Sequence, residues 1–210
     1  MMEMPSGTRV HRLLPKEAFY KHLQINRTLK EKFVSDVEHI YVENVLTNSS
    51  LNLTVQSEIK EIMLLLVQLK KQEFDGKLIE AIARQNQHQL IFLLVYGEMC
   101  QLGLFCGKLY LTPWSHADDM ALKLQGDSLD EIWNGFIEQI ALYEEKAVIN
   151  DALSVEERLA RQEKITKLEK LIAKTEAAAW KEKQPKKKFE IYTQLREYKK
   201  LLGELKNGTP

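Results

Sequence analysis

Residues 61–96 read EIMLLLVQLKKQEFDGKLIEAIARQNQHQLIFLLVY, and this stretch decides the fold. Glu61–Lys70 holds six consecutive apolar residues, Ile62–Val67, with charge only at its ends, and Leu90–Tyr96 has the same character. Runs this short and this apolar suit strands buried on both faces of a sheet. Between them, Asp75–Gln85 sets Leu78, Ile79 and Ile82 on one helical face. Buried strand, amphipathic helix, buried strand is the pattern of a right-handed crossover joining parallel strands.

Working outward, Gly97-Glu98 has the form of a tight hairpin turn into a strand over Met99–Phe105. Lys108–Leu111 and Ala121–Gln125 would add antiparallel strands, separated by a loop over Thr112–Met120. On the other side, Val10–Leu14 is basic and apolar, and Pro15 opens a short predicted helix through Leu23, where its missing N–H is not needed. Thr28 and Glu31 have capping-box spacing for a helix running to about Val37, with Leu29 and Phe33 on one face. His39–Leu46 reads as a strand ending in the turn cluster Thr47-Asn48-Ser49-Ser50, and Leu51–Val55 as another short strand. Ser128 and Glu131 repeat the capping-box spacing before a helix whose apolar stripe is Ile132, Trp133, Phe136, Ile137 and Ile140. The expected fold class is α/β, a mixed sheet flanked by helices over residues 8–146.

Residues 154–207 read differently. Ser154 and Glu157 make a third capping box, and the helix after it repeats Ile165, Leu168, Ile172, Thr175 and Ala179 at three–four spacing. A second helix repeats Ile191, Leu195, Tyr198, Leu202 and Leu205 in the same way. Alternating threes and fours are a heptad signature, and the short proline-containing turn between the helices makes them antiparallel. The prediction is a coiled-coil arm whose first helix runs ~40 Å at ~1.5 Å per residue. Two such hairpins side by side would form a four-helix bundle, a homodimer burying Tyr198, Leu171 and Leu201.

The formal charge of zero hides an asymmetry. Residues 154–207 carry fifteen Lys/Arg against nine Asp/Glu, a net of +6, and the remainder carries fifteen against twenty-one, a net of −6. A basic arm calls for an anionic partner, or is balanced by its own body. The N-terminal residues lack a basic segment followed by an apolar run, and no apolar run approaches the ~20 residues that span a bilayer. Cys100 and Cys106 in one strand would stand roughly 20 Å apart, too far for a disulfide. The expectation is a cytoplasmic protein with no membrane contact.

Several fragments in order resemble one bacterial family. They are Leu14-Pro15-Lys16 with Phe19-Tyr20, Leu51-Asn52-Leu53, Leu122–Gly126 with Ser128-Leu129-Asp130, Phe136 with Gln139-Ile140, and Lys183-Gln184 with Lys187-Lys188-Phe189-Glu190. The family is that of domain of unknown function 4391, and the similarity covers nearly the whole chain. It implies no cofactor, activity or catalytic residue. It does imply neighbours: helicases and DNA methyltransferases of restriction or phage-defence systems.

Among enzymatic readings the sharpest is a diverged restriction-type nuclease, which needs carboxylates and a lysine on adjacent strands around Mg²⁺. Asp36 or Glu38, then Glu61, then Gln68-Leu69-Lys70 follow that order, but Gln68 stands where a carboxylate should ligate the metal. The favoured alternative is that Gln68, Lys70 and Lys71 mark where a buried strand reaches solvent. His116 with Asp118 and Asp119 has no second histidine or cysteine at ligand spacing, so a solvated loop outweighs a metal site. Ser115 beside His116 makes no triad, and the cysteines read as small core residues.

Lys181, Lys183, Lys186, Lys187 and Lys188 crowd the arm's turn, with only Glu182 against them. Such density can neutralise phosphates, whereas a solvated turn or protein contact is the plainer reading. Trp180, Phe189 and Tyr192 lie beside the same turn, in position to stack on bases or, more commonly, to close the end of the hairpin. The first functional expectation is a non-enzymatic accessory protein docking through its arm on a helicase or DNA methyltransferase. A DNA-binding subunit using the lysine tip comes second, and the nuclease third.

Overall fold

A computed structural model describes residues 4–15, 25–143 and 153–207. The chain divides after Tyr143 into two compact units.

The first unit is built on a mixed seven-stranded sheet. After a 3₁₀ turn at Ser6–Thr8, the elements are β1 (Arg9–Leu14), α1 (Arg27–Asp36), β2 (Val37–Leu46), β3 (Ile62–Leu69), α2 (Lys77–Arg84), β4 (Gln89–Tyr96), β5 (Met99–Cys106), β6 (Lys108–Leu111), β7 (Ser115–His116) and α3 (Leu129–Ile140). Strands β1 to β6 lie side by side in chain order, and β7 pairs with β5. Among the described strands only β3 and β4 run parallel, from Ile62 opposite Gln89 to Gln68 opposite Val95, with α2 as the crossover. The other pairings are antiparallel. Gly97 makes the β4–β5 turn at a φ of 59°, where a side chain would be strained.

Side-chain alternation explains the continuous apolar runs. Leu65, Val67 and Leu69 of β3 join Leu90, Phe92 and Leu94 of β4 beneath Phe33 of α1 and Leu78, Ile79 and Ile82 of α2. Ile62, Leu64, Ile91, Leu102 and Leu104 alternate to the opposite face. Helix α3 packs on β5 and buries Ile132, Trp133, Phe136, Ile137 and Ile140. Phe33, Phe92 and Phe136 are fully buried, and losing any of these rings to alanine costs about 3–5 kcal/mol.

Polar ties lock α3 to the sheet. Ser128 caps α3 by accepting from the Glu131 N–H, while the Glu131 carboxylate accepts from the N–H of Asp127 rather than that of Ser128. Asp130 accepts from the N–H groups of Glu58 and Ile59, both at 2.9 Å, and Ser57 Oγ returns the tie by accepting from Leu129 N–H at 2.9 Å. These groups hold the segment that feeds β3 against the start of α3.

Four local expectations are corrected. Asn26, not Thr28, caps α1, because its side chain is the one that accepts from Leu29 N–H. Leu51–Val55 belongs to turn and irregular structure: Leu51, Asn52 and Leu53 bond back to Thr47, Ser49 and Asn48, and Asn52 takes a positive φ of 54°. Ala121–Gln125 joins no strand, since the Gln139 amide takes both backbone groups of Lys123, accepting its N–H at 2.8 Å and donating to its carbonyl at 2.9 Å. Within the expected loop 112–120, Ser115–His116 forms a two-residue strand on β5. The helix expected from Pro15 to Leu23 lies outside the described residues.

The second unit contains α4 (Val155–Lys181) and α5 (Pro185–Asn207), packed against each other as a hairpin. Its seam is the predicted one. Ile165, Ile172, Ala179 and Leu195 are buried, and Leu168, Thr175, Ile191, Tyr198 and Leu202 are half-buried. Leu171 and Leu201 lie exposed on the outer surface.

Candidate binding surface at the arm tip

The arm begins with a complete capping box. Ser154 Oγ accepts from Glu157 N–H, and the Glu157 carboxylate accepts from Ser154 N–H at 2.8 Å, which holds that carboxyl below its usual pKa. At the same end, Arg161 donates to the carbonyls of Leu205 at 2.8 Å and Lys206 at 3.3 Å, satisfying groups that the end of α5 leaves open. The turn is equally defined: Glu182 leaves helical geometry, its carboxylate accepts from Gln184 N–H at 2.8 Å, and Pro185 opens α5.

Two ion pairs fix which side chains share a face. Glu169 meets Lys206 at 2.8 Å and Glu176 meets Lys199 at 2.7 Å, in one antiparallel register. Each of these residues follows a seam position by one, so that positions just past the seam point to the same side on both helices. Tyr192 follows Ile191 in the same way, and Trp180, four residues past Glu176, and Phe189, three before Tyr192, lie beside that face and further from the seam. They continue the ion-paired face towards the turn, spaced along the axis by about 4–5 Å between successive rings.

These rings do not close the hairpin. Trp180 is 81% exposed and Phe189 74%, with Tyr192 at 43%. Ala179 and Leu195 are the buried seam residues beside them. Around the rings, Lys181, Lys183, Lys186 and Lys187 are exposed and Lys188 is half-buried. Among the described residues none of the five makes an ion pair, whereas Lys199 and Lys206 on the shaft do. The more common role, closing the end of the hairpin, is thereby corrected for Trp180 and Phe189. The signal was in the sequence: Tyr192 stands one residue past the seam, and Trp180 and Phe189 lie one turn from Glu176 and Tyr192 on the same side.

The nuclease candidates are only partly brought together. Lys70 N–H donates to the Asp36 carbonyl at 2.8 Å, and Lys70 Nζ donates to the Val34 carbonyl at 2.9 Å, so Lys70 ties α1 to the end of β3. The Asp36 side chain is 2% exposed and pairs instead with Lys71 at 2.7 Å. Burial alone would raise its pKa, but Lys71, Ser35 Oγ and the Asp75 N–H together hold the carboxyl below its usual range. Lys32 donates to Asp75 at 2.5 Å, and that hydrogen bond with the Lys77 N–H lowers the Asp75 carboxyl as well. Gln68 stands near this end of β3, whereas Glu61 precedes the other end, roughly 23 Å away at ~3.3 Å per residue, and faces His88 at 3.5 Å. Exposed Glu38 lies on β2. No three His, Cys, Asp or Glu side chains cluster to hold a metal ion among the described residues.

His116 is exposed on β7, with Asp118 and Asp119 exposed in the turn after it. Cys100 is buried, which raises its thiol pKa, Cys106 is half-buried, and no disulfide joins them. The first unit also carries an open cavity of about 460 Å³, floored by Leu64, Leu66, Leu93 and Cys100 and edged by Arg9 and Glu43. Glu43 is already engaged there by His11 at 2.6 Å and Arg9 at 3.7 Å.

A family profile described as a domain of unknown function, DUF4391, matches residues 2–202. The chain belongs to this family. No curated protein and no solved structure matches it. The DUF4391 match spans both units, so the arm is part of what defines the family rather than an appended tail. Several residues that carried the resemblance have structural tasks: Ser128 and Asp130 tie α3 to the chain before β3, Gln139 holds Lys123, and Phe136 fills the core. Phe189, by contrast, has no such task visible in its burial. No described helix is long and apolar enough to cross a membrane.

Proposed function

We propose that this protein is a non-enzymatic accessory subunit that docks through the tip of its helical arm. The observation that carries this reading is the exposure of Trp180 and Phe189 on one face of a hairpin whose seam is otherwise filled. Large exposed rings are the side chains that dominate binding when a partner covers them. An arm about 40 Å long, capped and ion-paired along its shaft, carries such a patch rigidly. The engagement of Asp36 and Lys70 in local ties, with Glu61 at the far end of β3, supports a non-enzymatic role.

Following the resemblance noted in the sequence, the partner is a helicase or DNA methyltransferase of a bacterial restriction or phage-defence complex, met in the cytoplasm. The test is recovery from the native host with a tagged full-length chain. The expected result is a helicase or methyltransferase with the wild type, and its loss with Trp180→Ala/Phe189→Ala. Recovery of neither enzyme class by the wild type would contradict the proposal.

A further inference from the structure

The tip combines two features that a protein-docking patch need not have together. The large apolar side chains it exposes are rings, since the neighbouring Ile191 and Leu195 are half-buried and buried in the seam. Its charge is mainly positive: five lysines outside any ion pair among the described residues stand against two carboxylates, Glu182, which accepts from the Gln184 N–H, and exposed Glu190. Interfaces between proteins are depleted in lysine relative to the rest of the surface, and a lipid-inserting face would carry aliphatic side chains as well as rings. Flat π-faces in a field of unpaired lysines match a chain that alternates planar bases with phosphates.

We infer that the tip face is a platform for single-stranded nucleic acid, with Trp180, Tyr192 and Phe189 stacking successive bases and Lys181, Lys183, Lys186, Lys187 and Lys188 neutralising the backbone. The three rings span about 9 Å of the arm, room for about two bases, with the lysines reaching phosphates on either side. Duplex is disfavoured because paired bases offer no open π-face to rings standing on a helix surface. Stacking makes no use of base identity, so the platform is expected to be tolerant of sequence. DNA and RNA present the same bases and phosphates to it and are separated only by experiment. The inference rests on the same premise as the proposed function, that the exposed tip is the working surface of the arm, and adds nucleic acid to what it meets.

The decisive experiment is fluorescence anisotropy of labelled single-stranded 20-mers of DNA and of RNA, and of the matching duplex, titrated with the full-length protein at low salt. Single strands should bind more tightly than duplex. Log affinity should fall with log salt at about 0.7 per phosphate neutralised, a slope between roughly −2 and −3.5 for three to five lysines. Trp180→Ala and Phe189→Ala should each weaken binding by about 5- to 150-fold, and Trp180→Phe should restore most of it. Lys186/Lys187/Lys188→Ala should flatten the salt slope by about 2. Helical circular dichroism of each variant should be unchanged, because these side chains lie on the surface. No binding by the wild type, duplex preferred, unchanged affinity in both ring variants, or capture by anionic vesicles in place of oligonucleotide would each overturn the inference. If the host enzyme is recovered through the tip while no oligonucleotide binds, the platform is wrong and the docking proposal survives. Oligonucleotide binding lost in the ring variants, with host recovery unaffected by them, separates the two the other way.

Discussion

The two units use their polar side chains in opposite ways. In the first, charged and polar groups are turned inward on the fold: Asp130 holds the backbone before β3, Asp36 and Asp75 are engaged by lysines, and Gln139 replaces a missing strand partner. In the arm, the same economy holds along the shaft, where Glu169 and Glu176 meet lysines of the other helix. It stops at the turn. There Trp180, Phe189 and four of the five lysines face solvent, although Ala179 and Leu195 in the seam are packed. Side chains that stabilise nothing within their own unit are the ones available to a partner, and in the arm the large exposed rings are gathered at one end.

The comparison breaks most visibly at the seam. Ile172→Asp or Leu195→Asp would bury a charge where nothing pairs with it, costing several kcal/mol and melting the arm. Because α4 and α5 pack on each other and the two units are separately compact, the loss should remove much of the helical signal while the sheet unit keeps its unfolding transition. A single transition abolished in one step would show the units to be one cooperative body. Next in size, Asp130→Ala leaves the N–H groups of Glu58 and Ile59 without their acceptor, and chemical denaturation should register a loss of about 1–3 kcal/mol.

Acid sharpens the contrast by sign. Asp36 and Asp75 have folded-state pKa values below their unfolded ones, so their stabilisation is complete above the unfolded value and is lost as pH falls through the folded value. Thermal melts should therefore show the sheet unit weakening below about pH 4, the ordinary aspartate range. Asp36→Asn should remove part of that dependence; an identical acid profile would detach Asp36 from it. The smallest effect is a gain. Gly203 on α5 has nothing within 4 Å of where a Cβ would stand, so Gly203→Ala should stabilise the arm by up to about 1 kcal/mol.

Much of this was legible in the chain. The parallel β3–β4 crossover, the β4–β5 hairpin and the seam of the arm follow from apolar runs and from three–four spacing, because burial imposes those periods. What could not be read were pairings settled by a single distant side chain. Ala121–Gln125 has the apolar character of a strand, yet Gln139 sixteen residues from Lys123 takes its backbone bonds. Asn26 rather than Thr28 caps α1 because capping depends on backbone angles that spacing does not report. At the tip, the lysines were evident from composition. For the rings, closeness to the turn does not reveal which side of a helix a residue occupies, whereas its offset from the seam does.

Whether the exposed rings are the working surface of the arm is decided by paired recovery from the native host. Wild-type protein and Trp180→Ala/Phe189→Ala would be compared at equal expression, with unfolding curves confirming equal stability. The predicted result is a helicase or DNA methyltransferase recovered by the wild type and lost with the double variant. Equal recovery by both would contradict it, and would move the binding surface away from the tip.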